Sequence, residues 1–263
     1  MKSKLIPLLC ITLHLCAQGA WAQVPDGSDM HLPRTPFCLQ SRAEVQLPPA
    51  VDNSTRKFFP PILDQMGGSC AQASGIGYMF TYEINRLLDR DAHASADHRF
   101  SYQFSWNLLN DGQDQGDFVD QGLYLSERYG IMTEQDYGIS GTYQFKWATG
   151  YDKYYKALQY RTQEVLTFAD SIPLMKRWLY DAGNGSAVGG VLTFSAMSRG
   201  WDIDDDYQGP SLTGYRSLLK SLATDGAHAL TIAGYDDTVV YTDAQGTPHT
   251  GAFIVVNSWG THS

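Results

Sequence analysis

From Ala71 to Leu88 the apolar positions recur at steps of three and four, so that Ile76, Phe80, Ile84, Leu87 and Leu88 share one face. That is the period of a helix, and a run of this length makes a rod of about 27 Å. Gly75 and Gly77 weaken it by roughly 1 kcal/mol each relative to alanine, which implies a close backbone approach at that point. A second helix is predicted over "DFVDQGLYLSERYG" with Gly130 as its stop. A third is predicted over "SIPLMKRWLYDAG", with Ser171 as N-cap, Pro173 near the first turn and Gly183 beyond the end. The period then changes. "AVGGVLTFSA", "HALTIAGYDD" and "GAFIVVNSWG" are short, rich in Val, Ile and Thr, and bounded by glycines and polar turns, so they read as strands. Helices first and strands later predict an α+β fold with segregated halves.

The last two strands carry a chemical implication. If "HALTIAG" (228–234) and "GAFIVVN" (251–257) pair antiparallel with 234 opposite 251, His228 falls opposite Asn257. Directly opposed side chains have Cβ atoms about 4.5–5.5 Å apart. An amide oxygen beside an imidazole fixes its tautomer and orientation, which a base in nucleophilic catalysis needs. A His facing an Asn is also an ordinary satisfied polar pair. Cys70 supplies a third member: it follows Gly67, Gly68 and Ser69 at the head of the long helix. There the macrodipole and the unpaired amides favour a thiolate, although an isolated cysteine is commonly a buried, inert small hydrophobe. The same amides can hold an oxyanion, and Gln65 can add a side-chain N–H. Taken together, Cys70, His228, Asn257 and Gln65 outweigh the bland reading of each alone, and predict an imidazolium–thiolate pair.

Composition narrows the surroundings. The 263 residues suffice for one large domain or two lobes. Residues 1–22 have the form of a secretory signal: Lys2 and Lys4, the apolar run "LIPLLCITLHLCA", and "AWA" at Ala20–Ala22. The apolar run is too short for a membrane span, so the expected location is secreted or periplasmic. Residues 23–46 are rich in Pro, Asp, Ser and Arg without periodicity and read as a linker or short pro-segment; 47–263 reads as the catalytic domain. With 28 acidic against 19 basic residues the formal charge is −9, and losing Lys2 and Lys4 makes it more negative. Such a surface repels phosphate backbones and anionic lipid, which argues against nucleic acid and membrane as partners. Cys10 and Cys16 leave with the signal, so only Cys38 and Cys70 remain of four cysteines, too few for a disulfide framework.

"LDQMGGSCAQAS", "GAHALTIAGYDD" and "IVVNSWG" resemble, in order, the three signature blocks of papain-like cysteine peptidases. "RYGIMTEQDYG" is similar to the segment after that family's second helix, and "GGVLTFSA" to its first long barrel strand. The resemblance covers about residues 47–260. It implies a helical N-terminal lobe facing an antiparallel β-barrel-like C-terminal lobe, with a cleft between them. It implies Cys70 as nucleophile, His228 as general base and acid, Asn257 as its orienter, Gln65 in the oxyanion hole and Trp259 as a shield over the His–Asn contact. The implied reaction is hydrolysis of a peptide or protein substrate through an acyl-enzyme, with no metal or organic cofactor. Gln65 lies five residues before Cys70 where the family more often has six, and Ala71 stands where a tryptophan commonly follows the nucleophile; such differences bear on specificity and activation. Further barrel strands are expected beyond Ser263. Two rival functions fit the same residues: an acyltransferase of transglutaminase type, and a catalytically silent binding module.

Three other features are assigned no chemistry. "DIDDDYQG" (Asp202 to Gly209) alternates carboxylates but lacks the glycine and terminal glutamate of a calcium loop, and reads as a solvated loop. His93 and His98 sit in a polar loop. The aromatics of "YQFKWATGYDKYYKALQY" are assigned to core packing.

Overall fold

The computed structural model describes residues 9–14, 34–38, 45–111, 113–138, 148–168, 171–221, 223–243 and 245–261. Most of the linker expected over 23–46 lies outside them, all but residues 34–38 and 45–46. Nine strands are described: β1 Leu9–His14, β2 Arg34–Pro36, β3 Ala50–Asp52, β4 Glu164–Thr167, β5 Leu192–Met197, β6 Asp202–Asp204, β7 Leu218–Ser221, β8 Ala227–Thr242 and β9 Pro248–Val256. The helices Tyr102–Asn110, Gln121–Tyr129, Glu134–Tyr137 and Tyr151–Ala157 all precede β4, and Ile172–Asp181 precedes β5. Helices first and strands later is therefore the observed order of the main elements.

The long helix starts at Cys70 and runs to Leu88, but it is not α-helical throughout. An α turn at Cys70–Gln72 leads into π-helical Ala73–Phe80 and then α-helical Thr81–Leu88. The two glycines explain what the wide segment packs against. A Cβ on Gly75 would lie 2.8 Å from the Val119 carbonyl oxygen, and one on Gly77 would lie 2.5 Å from Leu63 Cδ1. Ser74, on the opposite side, clamps this segment to the sheet: its Oγ donates to the Leu230 carbonyl at 2.7 Å and meets the hydroxyls of Thr193 and Thr231. Glu83 provides a second tie. Its Oε1 accepts the Val191 N–H at 3.1 Å, and its Oε2 accepts from Arg86 Nε (2.9 Å) and Nη2 (2.6 Å). Both other predicted helices form. Gln121–Tyr129 ends at Gly130 with φ +68°; Ile172–Asp181 ends at left-handed Ala182, with Ser171 at the N-cap position but without a side-chain capping bond.

The strands do not close into a barrel. β2, β4, β1, β5, β8 and β3 lie side by side in that order, with β9 on β8, and the sheet is mixed: β1 runs parallel to β4 and β5, whereas β5, β3 and β9 run antiparallel to β8. The parallel pairs follow from chain segments that arrive from far away in sequence instead of through hairpins. β1 is formed by residues that the sequence places inside the export signal; none of the candidate site residues lies on it.

The β8–β9 register also differs from expectation. Gly234 pairs with Ile254 and not with Gly251, and Thr231 pairs with Val256. Residues 238–242 and 248–250, expected as a polar connection, remain in the ladder, and the chain reverses near Asp243–Thr247. Bulges at Ile232/Gly234 and Asp236/Val240 absorb the extra residues. At the second bulge the Tyr207 hydroxyl takes the Val240 N–H at 2.9 Å, supplying a partner that the strand pairing cannot. Continued to its end, this register sets His228 opposite Trp259, with Asn257 two residues along. An even shift keeps Asn257 on the same face.

Two large apolar clusters build the interior. One surrounds the 70–88 helix through Ile76, Tyr78, Phe80, Tyr82 and Phe104; the other joins the 172–181 helix to the sheet through Trp178, Leu179, Leu192, Phe194 and Ile232. A small third cluster of Ala71, Val119 and Ala229, with Cys70 packed on it, joins the head of the helix to the start of β8.

Candidate active site

Cys70 is the first residue of the helix and is half-buried. The nearby backbone amides of Ala229, Ala71 and Cys70 itself pull its thiol toward ionisation. Ala229 directly follows His228, so the helix head and the start of β8 bring the thiol beside the histidine's own segment. The turn that delivers Cys70 is held from outside. Gly67 adopts φ +53°, and the Gly68 N–H donates to Asp114 Oδ1 at 2.9 Å.

His228 is buried near the N-terminal end of β8. Its Nε2 lies 2.8 Å from Asn257 Oδ1, and the Ser258 backbone N–H donates to the same oxygen at 2.8 Å. A backbone amide can only donate, so Oδ1 is an acceptor and the hydrogen of the neutral imidazole must sit on Nε2. Nδ1 is then the nitrogen that can take a proton. Trp259 stacks on the imidazole with centroids 4.7 Å apart, and Trp201 stacks on Trp259 at 5.6 Å. Two indoles are thus stacked in line on the imidazole. Trp201 carried no sequence signal, because it follows β5 in a loop.

Gln65 is fixed on three sides. Its backbone N–H donates to the Ser258 carbonyl (2.7 Å), its Oε1 accepts from Ser258 Oγ (2.6 Å), and its Nε2 donates to the Gly67 carbonyl (3.0 Å). The second Nε2 hydrogen has no hydrogen-bond acceptor among the described residues. Tyr78 couples this turn to the histidine's partner: its hydroxyl accepts the Leu63 N–H at 2.7 Å and donates to the Asn257 carbonyl at 2.9 Å. Burial pushes the Tyr78 phenol up to about 12, so it remains a donor throughout the working range. Tyr78 and Ser258 were missed in the sequence. Tyr78 lies on the expected helix, but its role depends on the π segment turning it toward residues 63 and 257.

Electrostatics corrects one expectation. Burial raises the Cys70 thiol above its ordinary value, and this outweighs the pull of the helix-head amides. Burial also lowers His228, against the smaller opposing effect of the Asn257 hydrogen bond. Near neutral pH the two groups are therefore a thiol and a neutral imidazole. With His228 as the proton acceptor proposed below, activity would be lost as pH falls through its lowered pKa. The acid limb of kcat/KM should lie below the ordinary imidazole value of about 6.5, as read from initial rates between pH 4 and 8; a limb above pH 7 contradicts this electrostatic account.

Elsewhere, the features set aside in the sequence have local roles. The segment read as a solvated loop begins as strand β6 at Asp202–Asp204, paired with β7, and after it Asp204 Oδ1 accepts the Asp206 N–H and Asp206 Oδ1 accepts from Gln208. His98 Nδ1 faces the Asp91 carbonyl at 2.7 Å. Tyr154 and Tyr160 pack against the helical core, as expected, whereas Tyr151 and Tyr155 are exposed and stack on each other. Cys38 and Cys70 are both free thiols.

The fold recurs in solved structures. Xylellain, a cysteine protease from Xylella fastidiosa, superposes with a TM-score of 0.58 at 20% identity over 87% of this chain and 81% of its own. Procathepsin B S9 from Trypanosoma congolense gives 0.57 at 17% identity over 92% and 75%. No family model and no curated protein sequence matches the chain. The fold is papain-like.

Proposed function

We propose that this protein is a cysteine peptidase that hydrolyses peptide bonds of peptide or protein substrates through an acyl-enzyme. The observation that carries the reading is the His228–Asn257 hydrogen bond with its tautomer set by Ser258, placed beside a cysteine at a helix head. In the first step Cys70 Sγ attacks the scissile carbonyl carbon while its proton passes to His228 Nδ1. The carbonyl oxygen becomes an oxyanion, met by the free Gln65 Nε2 hydrogen and the Cys70 backbone N–H. His228 then protonates the leaving amine, and the C–N bond breaks to leave a thioester. Water, giving its proton to His228, attacks the thioester; the acid departs, and the sulfur regains its proton from His228. Asn257 keeps the imidazole in the productive tautomer throughout.

The papain-like fold and its two protease neighbours support this reaction class. The acidic surface and the apparent export signal support a secreted or periplasmic location acting on protein. Among the described residues no helix is long and apolar enough to cross a membrane. Gln65→Ala should lower kcat by about 10²–10³-fold with little change in KM, because its hydrogen bond is strongest to the oxyanion. Steady-state cleavage of a fluorogenic peptide, chosen by screening a peptide library, measures this; an unchanged kcat removes Gln65 from the site. Adding an amine acceptor to the same assay separates hydrolysis from acyl transfer, since a transferase would form the amide in place of the free acid.

A further inference from the structure

One phenol reaches both arms of the site from the helix that begins at Cys70. Tyr78 is fully buried in that helix, and its ring stacks on Phe59 with centroids 5.2 Å apart. Chemistry fixes the direction of both bonds to its hydroxyl: the Leu63 N–H can only donate to it (2.7 Å), and the Asn257 carbonyl can only accept from it (2.9 Å). That carbonyl belongs to the same planar peptide unit as the Ser258 N–H. The N–H donates to Asn257 Oδ1 at 2.8 Å, and Oδ1 in turn lies 2.8 Å from His228 Nε2. Turning this one peptide plane would withdraw the N–H that fixes the Asn257 amide, and with it the acceptor of the imidazole N–H. On the other side, Leu63 belongs to the turn that carries Gln65. The Leu63 carbonyl accepts the Gly260 N–H at 2.9 Å, the Gln65 N–H donates to the Ser258 carbonyl at 2.7 Å, and Asp64 pairs with Trp259 between them. The two segments thus form one short antiparallel bridge, and Tyr78 ties it to the nucleophile's helix. Gly77 permits the approach, since a Cβ there would lie 2.5 Å from Leu63 Cδ1.

We propose that Tyr78 is a positioning residue: through the peptide between Asn257 and Ser258, its hydroxyl holds Asn257, and so the His228 imidazole, in place relative to the helix that bears Cys70. The hydroxyl touches no substrate and no reacting atom in the scheme above. Asn257 makes the contact to the ring and Ser258 orients Asn257; Tyr78 fixes both to the nucleophile's helix. Without the hydroxyl the bridge of 63–65 with 257–260 stays joined to itself but loses these hydrogen bonds to that helix. The consequence for turnover rests on the peptidase reading above, whereas the consequence for the imidazole does not.

The test compares the wild type with Tyr78→Phe, which keeps the ring on Phe59 and removes only the hydroxyl, and with Tyr82→Phe as a matched control. Tyr82 lies on the same helix, is equally buried and donates to the Gly189 carbonyl at 3.0 Å, outside the site. The readout is the rate at which the His228 Nε2 hydrogen exchanges with water, followed in nitrogen-edited NMR spectra of histidine-labelled protein. The signal is assigned by its loss in His228→Ala and read at about pH 7.5, above the ordinary imidazole value. Exchange in Tyr78→Phe should be about tenfold faster, the factor that one hydrogen bond contributes, and exchange in Tyr82→Phe should match the wild type. On a peptide that the wild type cleaves, Tyr78→Phe should lower kcat about tenfold with KM changed by less than about twofold, because the base's orientation matters in the transition state. Exchange in Tyr78→Phe equal to that of the wild type overturns the proposal. So does equal acceleration in both variants, which general loosening of the helix would give. If the ring hydrogen responds as expected while the wild type cleaves no peptide, the positioning role stands and the peptidase reading fails.

Discussion

Cys70→Ala is expected to abolish peptide hydrolysis, lowering kcat by on the order of 10⁵–10⁶-fold. Removing the nucleophile from an assembled triad has an effect of that size, and what survives comes from binding and the oxyanion hole. His228→Ala should lose a similar factor, and the double variant should be scarcely worse than either, because the two groups act in one proton transfer. Folding should be nearly untouched. Cys70 is half-buried at the edge of a small cluster, so its loss should cost about 1 kcal/mol or less. Active-site-independent unfolding curves for each variant separate lost chemistry from lost structure. A Cys70→Ala protein that still cleaves at more than about one-hundredth of the wild-type rate, against the loss expected for a triad nucleophile, would place the nucleophile elsewhere.

The largest stability effect is expected at Glu83. Its side chain is 1% exposed, that of Arg86 12%, and it also anchors the Val191 amide at the entrance to β5. Glu83→Ala leaves a largely buried guanidinium and a buried backbone N–H without their acceptor. Breaking one side of a buried ion pair costs about 3–5 kcal/mol, which for a domain of this size lowers Tm by roughly 10 °C. Glu83→Gln should lose less, because the amide oxygen can still accept the Val191 N–H. Calorimetry checks both; equal, small shifts would mean that the tie between helix and sheet contributes little.

The helix face of Ile76, Phe80 and Ile84, the glycines of close approach and the three chemical blocks were all legible in the sequence, because each depends on local spacing. The His228–Asn257 contact was legible for a related reason: a register error of an even number of residues leaves both side chains on the same face. What was not legible came from distant chain segments. The π-helical stretch at Ala73–Phe80 packs on Val119 and Leu63 and is clamped through Ser74 to Thr193, Leu230 and Thr231, partners that lie outside the helix's own sequence. The parallel strand between β4 and β5 comes from residues 9–14, whose composition reads as an export signal, and the other parallel neighbour of β4 from Arg34–Pro36. The expectation of a thiolate at the helix head weighed the dipole and amides correctly in direction but not the burial, which appears only when Val119 and Ala229 close over Cys70. Trp201 and Tyr78 lie outside the signature blocks, and Ser258 lies within one beside Asn257; all three stand out only through what they touch.

The central claim is that Cys70 forms the acyl-enzyme with His228 as its proton acceptor. It is tested most directly by acid-quenching the reaction with a peptidyl ester within milliseconds and measuring intact mass, followed by mapping of the modified peptide. The expected result is one acyl group per molecule on Cys70, none on Cys38, and no adduct in Cys70→Ala or, on the same timescale, in His228→Ala. An acyl group on another residue, or rapid hydrolysis without any adduct at Cys70 under conditions where the second step is slow, would contradict it.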